Sequence, residues 1–320
     1  MCLYPRLIDN PKYRPNKKNK GRVPQVKDPR VKLVPVGCGK CIECRKAKAR
    51  EWRIRLLEEI KGNKTKSYFV TLTFNNESWK ELAEEIKGLE GYELDNEIAK
   101  IGIQKFTNRW KKEFKNRPRR WFITELGENN TERIHVHGIV WTEHGSETIT
   151  KKWKYGNTYI GEYVNEKTIN YIVKYLHKTD MKHKEYIPKI FTSNGIGSNY
   201  RNSINFENNK YKPEGTNENY RMYNGYKMAM PIYYRNLLYN DDEKEKLWIE
   251  KLDKGERFVL GQKINIKKNF DEYDKMLIYA QRKNKEWGYG DNSINWDRKI
   301  YERNLRKLKH DEIRNAKKNK

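Results

Sequence analysis

The sequence contains little that would place it in a membrane or outside a cell. It has no stretch of 18 consecutive apolar residues and no amphipathic segment with a large apolar face, which argues against a membrane-spanning or membrane-surface protein. Residues 1–5 lack the apolar core of a signal peptide. We therefore expect an intracellular protein with reduced thiols and no membrane partner.

Phosphate-binding loops and histidines are also scarce. No glycine-rich loop ending in Lys-Ser or Lys-Thr occurs, so the sequence predicts no built-in ATP-driven helicase. Only six histidines and four cysteines are present. Any close clustering among these few side chains is therefore informative about a site.

Basic residues, in contrast, are abundant. Among 320 residues, 69 Lys and Arg face 43 Asp and Glu, for a formal net charge of +26. Such an excess repels itself unless a polyanion neutralises it, so nucleic acid is the expected partner. Because only 36% of the residues are apolar, we expect one compact domain with polar extensions.

Hydrophobic periodicity predicts an α+β fold. Residues 68–74, 121–125 and 134–141 have the pattern of strands, and residues 43–61, 97–116 and 166–178 have the pattern of helices. This order fits an antiparallel, ferredoxin/RRM-like sheet with helices on one face. We predict a Cys-rich basic N-terminal segment (1–62), a central domain (63–180) and a basic, largely helical extension (181–320). The extension includes predicted helices at 240–260 and 267–285 and a basic helix or tail at 301–320.

Two histidines mark a candidate metal site within RIHVHGIVW, residues 133–141. Alternate residues of a strand share a face, so His135 and His137 project together, roughly 7 Å apart at Cα. Glu125, at the end of the preceding strand, is the expected third ligand, with Glu128 as the alternative. Two imidazoles and one carboxylate leave coordination positions open for substrate and water, as in a catalytic site for Mg²⁺ or Mn²⁺.

A tyrosine pair follows in YIVKYLHK, residues 171–178. On a helix, Tyr171, Tyr175 and Lys178 fall within about 60° of each other, opposite the apolar stripe. A phenolate can attack a DNA phosphorus and form a covalent intermediate, and a cation such as Lys178 or Lys174 would favour the phenolate. Tyrosine pairs at this spacing also occur within residues 155–163, but that segment contains two glycines and is predicted to be extended.

Three segments, FVTLTF (69–74), RIHVHG (133–138) and YIVKYLHK (171–178), resemble the ordered motifs of HUH rolling-circle replication initiators of the two-tyrosine class. The chain is most similar to initiators of gokushovirus-type microviruses, with support from CGKCIEC (38–44), SNGIG (193–197) and PIYYR (231–235). One departure is that the first motif contains no acidic residue, so the third metal ligand depends on Glu125.

The resemblance implies an HUH endonuclease fold with His135 and His137 as metal ligands and Tyr171 and Tyr175 as nucleophiles. It further implies that the protein nicks single-stranded viral origin DNA, stays attached to the 5′ end and rejoins the ends to release a circle. The expected location is the host bacterial cytoplasm. Because a helicase motif is absent, we expect a host helicase and a host polymerase as partners.

The cysteines suggest a second, structural site. Cys38, Cys41 and Cys44 have C-x2-C-x2-C spacing, and Cys2 is the remaining cysteine. Four thiolates could hold a structural Zn²⁺ if the N-terminus folds back. An iron–sulfur cluster or unliganded thiols are the alternatives.

Candidate DNA contacts lie beside the predicted hairpin. Arg117, Arg119 and Arg120 precede Trp121, and cations interleaved with an aromatic suit a single strand, whose phosphates pair while its bases stack. Lys174 is a further candidate.

Three other functions fit parts of this pattern. A non-catalytic nucleic-acid-binding protein on an RRM-like sheet would need the charge but not the histidines and tyrosines. HUH transposases usually carry one tyrosine, and relaxases usually carry three clustered histidines. A zinc hydrolase that used His135, His137 and Glu125 would remain active without both tyrosines.

Overall fold

The computed structural model describes residues 1–127, 132–178, 183 and 186–291. These residues form two compact units. One unit, here called the sheet unit, contains residues 55–199; the other, the terminal unit, contains Met1–Ile54 together with the described residues from Tyr200 onward. The division falls inside the first helix.

The helices and strands have the following bounds. The strands are β1 (Arg6–Asp9), β2 (Leu33–Val36), β3 (Ser67–Thr73), β4 (Arg119–Leu126), β5 (Ile134–Trp141), β6 (Thr158–Gly161), β7 (Ile190–Thr192), β8 (Asn219–Arg221), β9 (Lys227–Ala229), β10 (Glu256–Val259) and β11 (Gln262–Asn265). The helices are α1 (Ile42–Gly62), α2 (Asn76–Glu84), α3 (Gly91–Phe114), α4 (Gly145–Lys152), α5 (Glu166–Val173), α6 (Ile204–Asn208), α7 (Ile232–Leu238), α8 (Asp241–Lys254) and α9 (Phe270–Glu286). Short 3₁₀ turns lie at Pro11–Tyr13, Pro29–Val31, Lys174–Leu176 and Ser198–Asn202.

The sheet unit is built on a five-stranded sheet with the order β6-β3-β5-β4-β7. Every neighbouring pair in it is antiparallel. Strand β5 is central, and it pairs with β3 along residues 67–73 and with β4 along residues 119–126. The two histidines of β5 therefore lie between two strands that can supply further side chains.

One face of this sheet carries the main hydrophobic core. Val70, Val136 and Phe122 point into it from the three central strands, and Phe106 and Trp110 of α3 pack there. The ring centroids of Phe106 and Phe122 are 6.4 Å apart in an edge-on arrangement, which is favourable beyond the burial of apolar area. Because side chains alternate along a strand, the residues between these core positions face the opposite side.

The terminal unit combines three two-stranded sheets, β1–β2, β8–β9 and β10–β11, with helices α6 to α9 and the first part of α1. Its small hydrophobic cluster joins Leu3 and Ile42 to Val259 and Ala280. Residues near both ends of the described chain thus fold together in one unit.

The predicted α+β fold with an antiparallel sheet is confirmed. All three predicted strands are present, and Ile134–Trp141 has the predicted bounds. The sequence missed β6 and β7, and it placed a domain boundary at residue 180, whereas β7 completes the sheet and the compact unit extends to residue 199. The extension after residue 180 contains two hairpins besides its helices. Residues 301–320 and Glu128 lie outside the described residues.

None of the helices in the described part of the chain is long and apolar enough to span a membrane. The longest, α3, has only a partly apolar surface and carries several charges.

Candidate active site

His135 and His137 lie side by side on the face of β5 that is opposite the main core. Their ring centroids are 6.5 Å apart, while Val136 between them is fully buried in the core. The register places His135 opposite Glu125 of β4 and His137 opposite Thr71 of β3. The predicted shared face is therefore present.

The Glu125 carboxylate reaches the same place. Its Oε2 atom lies 2.6 Å from Nε2 of His137, and the Thr71 hydroxyl lies 3.0 Å from Nδ1 of the same ring. The imidazole is thus held from both sides, and the bond to Thr71 fixes its orientation, as the hydrogen-bonding partners of metal-ligating histidines do. Burial lowers the pKa of His135, with His137 adding to the effect, which favours the neutral imidazole that binds metals.

Two glycines allow the strands to approach closely at this point. A Cβ atom on Gly138, directly after His137, would lie 2.2 Å from the Trp121 carbonyl oxygen. A Cβ atom on Gly127 would lie 2.7 Å from Cε1 of His135. Glycine at these positions therefore lets β4 pair tightly with β5 and leaves room for the His135 ring.

The tyrosine segment begins as predicted but does not continue as one helix. Asn165 caps α5 in a reciprocal capping box with Thr168, and the chain tightens into a 3₁₀ turn after Val173. Tyr171 is 43% exposed, whereas Tyr175 is 7% exposed. The two phenols consequently have different environments.

The tyrosine hydroxyls are hydrogen-bonded to each other. The Tyr175 hydroxyl donates to the Tyr171 oxygen across 2.7 Å. Burial raises the pKa of Tyr175, and both the bond to Tyr171 and the negative charge of Glu125 raise it further. Tyr175 therefore holds its proton and acts as a donor towards Tyr171.

The histidine face and the tyrosine segment meet through aromatic contacts. The Tyr175 ring stacks on His137 with centroids 5.1 Å apart and an interplanar angle of 17°. Phe69 of β3 lies edge-on to Tyr171 at 6.0 Å and stacks against His137 at 6.4 Å. Two motifs separated in sequence by about 30 residues thus form one site.

Lys174 supplies the cation beside the phenols. Its Nζ atom lies 4.0 Å from the centroid of the Tyr171 ring and 5.2 Å from that of Tyr175. Lys178 is exposed, and its backbone N–H bonds to the Lys174 carbonyl at 2.7 Å. The helix predicted to run to residue 178 ends earlier, so the catalytic role assigned to the Lys178 side chain stays a prediction.

Residues 67–180 match the replication-associated protein ORF2 family. The match begins at β3 and spans both histidines, Glu125 and both tyrosines. The chain is also 28% identical over 182 residues to the replication-associated protein ORF2 of Spiroplasma virus 4, an alignment that covers 52% of this chain and 56% of that protein. The chain thus spans a little over half the length of this curated relative. No solved structure matches the chain.

The cysteines lie outside the segment that matches the ORF2 family. Cys2, Cys38, Cys41 and Cys44 come together in the terminal unit, and their Sγ atoms all lie within 4.8 Å of one another. Across the described part of the chain no other group of three or more His, Cys, Asp or Glu side chains is this compact, the set of His135, His137 and Glu125 included.

The three arginines predicted to contact DNA differ in their surroundings. Arg117 is exposed and bonds to the Asn108 side chain. Arg119 forms an ion pair with Glu59 of α1 and donates to the carbonyl of Gly195, so its guanidinium has a structural role whether or not it meets a phosphate. Burial lowers the pKa of Arg120, and neighbouring Arg117 lowers it further.

Trp121 does not have the exposure of the predicted base-stacking aromatic. It is 0% exposed, and its neighbours on the same face of the sheet, Ile123 and Ile139, are fully buried as well. This part of the face opposite the main core is therefore covered within the protein. A base could not stack on the Trp121 ring without rearrangement of the residues around it.

Sequence reasoning missed two residues of the site, Thr71 and Phe69. Both lie on β3, on the face opposite the core residues Val70 and Leu72, and the alternation in FVTLTF had already assigned them to one face. What the sequence did not contain was the pairing of β3 with β5, which brings that face to the histidines.

Proposed function

We propose that the chain is a viral replication initiator of the HUH type, which nicks single-stranded DNA with a tyrosine and later rejoins the ends. The match to replication-associated proteins supports the role in replication. The arrangement of imidazoles, carboxylate and paired phenols supports the tyrosine mechanism. The substrate is single-stranded origin DNA, and unwinding is left to a host helicase and synthesis to a host polymerase.

A single contact carries this proposal: the buried Tyr175 stacks on His137 while its hydroxyl bonds to Tyr171. A surface pair of tyrosines would not be locked onto a strand histidine. The phenolic oxygens are thereby held beside the group of potential metal ligands, and such positioning is the main requirement for phosphoryl transfer.

The donor set fits a divalent metal ion. His135, His137 and Glu125 face the same side of β4 and β5, and the bond from Thr71 orients one of the two imidazoles. When bound, Mg²⁺ or Mn²⁺ would polarise a non-bridging phosphate oxygen and neutralise charge at phosphorus.

Tyr171 makes the first attack in this proposal. It is the more exposed phenol, its oxygen accepts the hydrogen bond from Tyr175, and Lys174 lies against its ring. A hydrogen-bond donor and a cation both favour the phenolate. The Tyr171 oxygen bonds to phosphorus, the bond to the 3′ oxygen breaks, and that oxygen leaves with a proton as a 3′ hydroxyl. The 5′ phosphate remains esterified to the tyrosine.

Tyr175 then provides a second nucleophile. Once Tyr171 is esterified, its bond from Tyr175 is lost, and a second phosphodiester can be attacked without release of the first strand. The 3′ hydroxyl formed in one step reverses the other ester and closes a circle, with no net consumption of phosphodiester bonds.

Covalent capture tests the proposal. The protein is incubated with Mn²⁺ and single-stranded oligonucleotides that tile its own coding genome, labelled at either the 3′ or the 5′ end. We expect a denaturation-resistant protein band that carries the 3′ label, together with a free fragment that carries the 5′ label.

Single variants separate the two phenols. Tyr171→Phe should abolish the first adduct, Tyr175→Phe should retain nicking but lose circle closure, and Tyr159→Phe, an exposed tyrosine on β6, serves as the matched control. Cleavage that survives the double Tyr171 and Tyr175 variant would instead indicate a metal hydrolase. DNA binding without cleavage by the wild type would indicate a non-catalytic binder.

A further inference from the structure

The four cysteines of the terminal unit form a cluster that neither the replication role nor the family match explains. Cys2 lies near the N-terminus, Cys38 and Cys41 lie in the loop after β2, and Cys44 lies in the first turn of α1. Cys41 is fully buried and the other three are half-buried. All four are free thiols.

The sulfur spacing matches that expected around a single ion. The Sγ atoms of Cys41 and Cys2 are 3.9 Å apart, and those of Cys38 and Cys44 are 4.0 Å apart. Four sulfurs at about 2.3 Å from a tetrahedral Zn²⁺ would be about 3.8 Å from one another. A disulfide would require about 2.05 Å, and ligands of an iron–sulfur cluster bind different irons and so lie further apart.

Backbone amides point at two of the sulfurs. Cys38 N–H and Tyr4 N–H donate to the Cys2 sulfur at 3.2 and 3.3 Å. Cys41 N–H and Lys40 N–H donate to the Cys38 sulfur at 3.3 and 3.4 Å. Such donors stabilise negative charge on sulfur, which an apolar packing role for cysteine does not require.

We propose that Cys2, Cys38, Cys41 and Cys44 bind one structural Zn²⁺ ion in a tetrahedral, all-thiolate site. Four thiolates this close repel one another strongly unless a cation lies between them. No fifth position is needed, so the site is closed and structural rather than catalytic.

The site would tie separate segments of the terminal unit together. Cys41 packs in the cluster that contains Leu3, Val259 and Ala280. Beside it, the buried Asn284 of α9 accepts a hydrogen bond from Ile42 N–H at 2.8 Å. The ion would therefore hold residues 2–4 and the start of α1 against α9 and the β10–β11 hairpin. Because an unligated site would leave these segments with a small core, metal binding contributes directly to folding.

Metal analysis of the purified full-length protein tests the proposal. We expect roughly one zinc per chain after dialysis against metal-free buffer. Exchange with Co²⁺ should give the intense visible absorption of tetrahedral cobalt and a near-ultraviolet thiolate-to-cobalt charge-transfer band. The cobalt spectrum uses the wild-type protein, so it remains decisive even if cysteine variants fail to fold.

Two sets of variants distinguish this site from the histidine site. Cys2→Ser and Cys41→Ser should lose the zinc and the charge-transfer band, whereas the double variant His135→Ala and His137→Ala should keep both. Zinc that follows the histidines instead of the cysteines would overturn the proposal. It would equally be overturned by a reduced wild-type protein that shows no thiolate-to-cobalt band, or by iron in place of zinc.

Discussion

His137 is the residue on which the candidate site converges. It contacts Glu125 at Nε2, Thr71 at Nδ1, and the Tyr175 ring on one face. The sequence identified it, with His135, from two-residue alternation alone. The stacking of Tyr175 could not be predicted in this way, because it depends on the 3₁₀ turn that follows α5.

Removing the Thr71 hydroxyl should weaken the site without unfolding it. Thr71→Val keeps the shape of the side chain but removes the bond to Nδ1 of His137, and loss of such a partner typically costs about 10- to 100-fold in metal affinity or activity. The measurement is Mn²⁺-dependent nicking as a function of metal concentration. Thr150→Val, which removes an exposed Thr–Thr bond on α4, is the control, and equal behaviour of the two variants would contradict the assignment.

At the scale of elements, long periodic segments were predictable and short ones were not. The helix predicted at 43–61 is α1, Ile42–Gly62, and the strand predicted at 68–74 is β3, Ser67–Thr73. Strands of three or four residues such as β6 and β7 are too short to show a period. Their positions are fixed by the sheet edges they cover, which local sequence does not encode.

The predicted helix at 166–178 illustrates the same limit for the site. The apolar stripe of Ile169, Ile172 and Val173 is buried as expected. The tighter 3₁₀ turn rotates the following residues further than an α-helix would, so that Tyr175 is buried and Lys174 lies against the phenols. Helical periodicity alone favoured Lys178 for that place.

The β4–β5 pairing should tolerate no side chain at Gly138. In Gly138→Ala the new Cβ would meet the Trp121 carbonyl and the Phe122 backbone, and overpacking of this kind costs about 1–3 kcal/mol or more. Denaturant unfolding measures the loss. Gly161→Ala on β6 is the matched control, because its Cβ would find ordinary contacts at 3.6 Å with Phe69; equal stabilities would contradict the close approach.

The ion pair between α1 and β4 should make the stability of the sheet unit depend on acid. Burial alone would raise the pKa of Glu59, but hydrogen bonds from Arg119, the Gly197 amide and Asn63 outweigh it, so the net shift is downward. A lowered carboxyl pKa stabilises the fold above the unfolded value, near 4.3, and this contribution is lost as the pH falls through the folded value.

Two variants check this pair. Glu59→Gln should flatten the acid side of the stability profile, measured as the free energy of unfolding between about pH 3 and 7. Arg119→Leu leaves the Glu59 carboxylate, 1% exposed, buried without its partner and should cost about 3 kcal/mol. An unchanged acid slope in Glu59→Gln would show that other groups set it.

At the scale of the whole molecule, charge is the dominant property. The net charge of +26 is spread over both termini and the sheet unit, and composition alone predicted a nucleic-acid partner. Composition could not show that some basic residues, such as Arg119, have internal partners. The division into a sheet unit and a terminal unit was likewise hidden, because residues far apart in sequence form the latter.

Binding to single-stranded DNA should be strongly salt-dependent. Each phosphate neutralised contributes a slope of about −0.7 to the plot of log affinity against log salt concentration. Fluorescence anisotropy with a labelled oligonucleotide measures the slope. Arg117→Ala, at an exposed position, should make the slope shallower without altering stability, and a salt-independent affinity would contradict the electrostatic account.

The most direct test of the central claim is to identify the residue that carries DNA. The trapped adduct would be digested with nuclease and protease, and the phosphonucleotide would be located by tandem mass spectrometry. The tyrosine mechanism predicts the modification on Tyr171 after a first, single cleavage, with Tyr175 modified when Tyr171 is replaced by phenylalanine under forcing conditions. A modification on any residue outside this pair, or a cleaved strand with no protein attached, would contradict it.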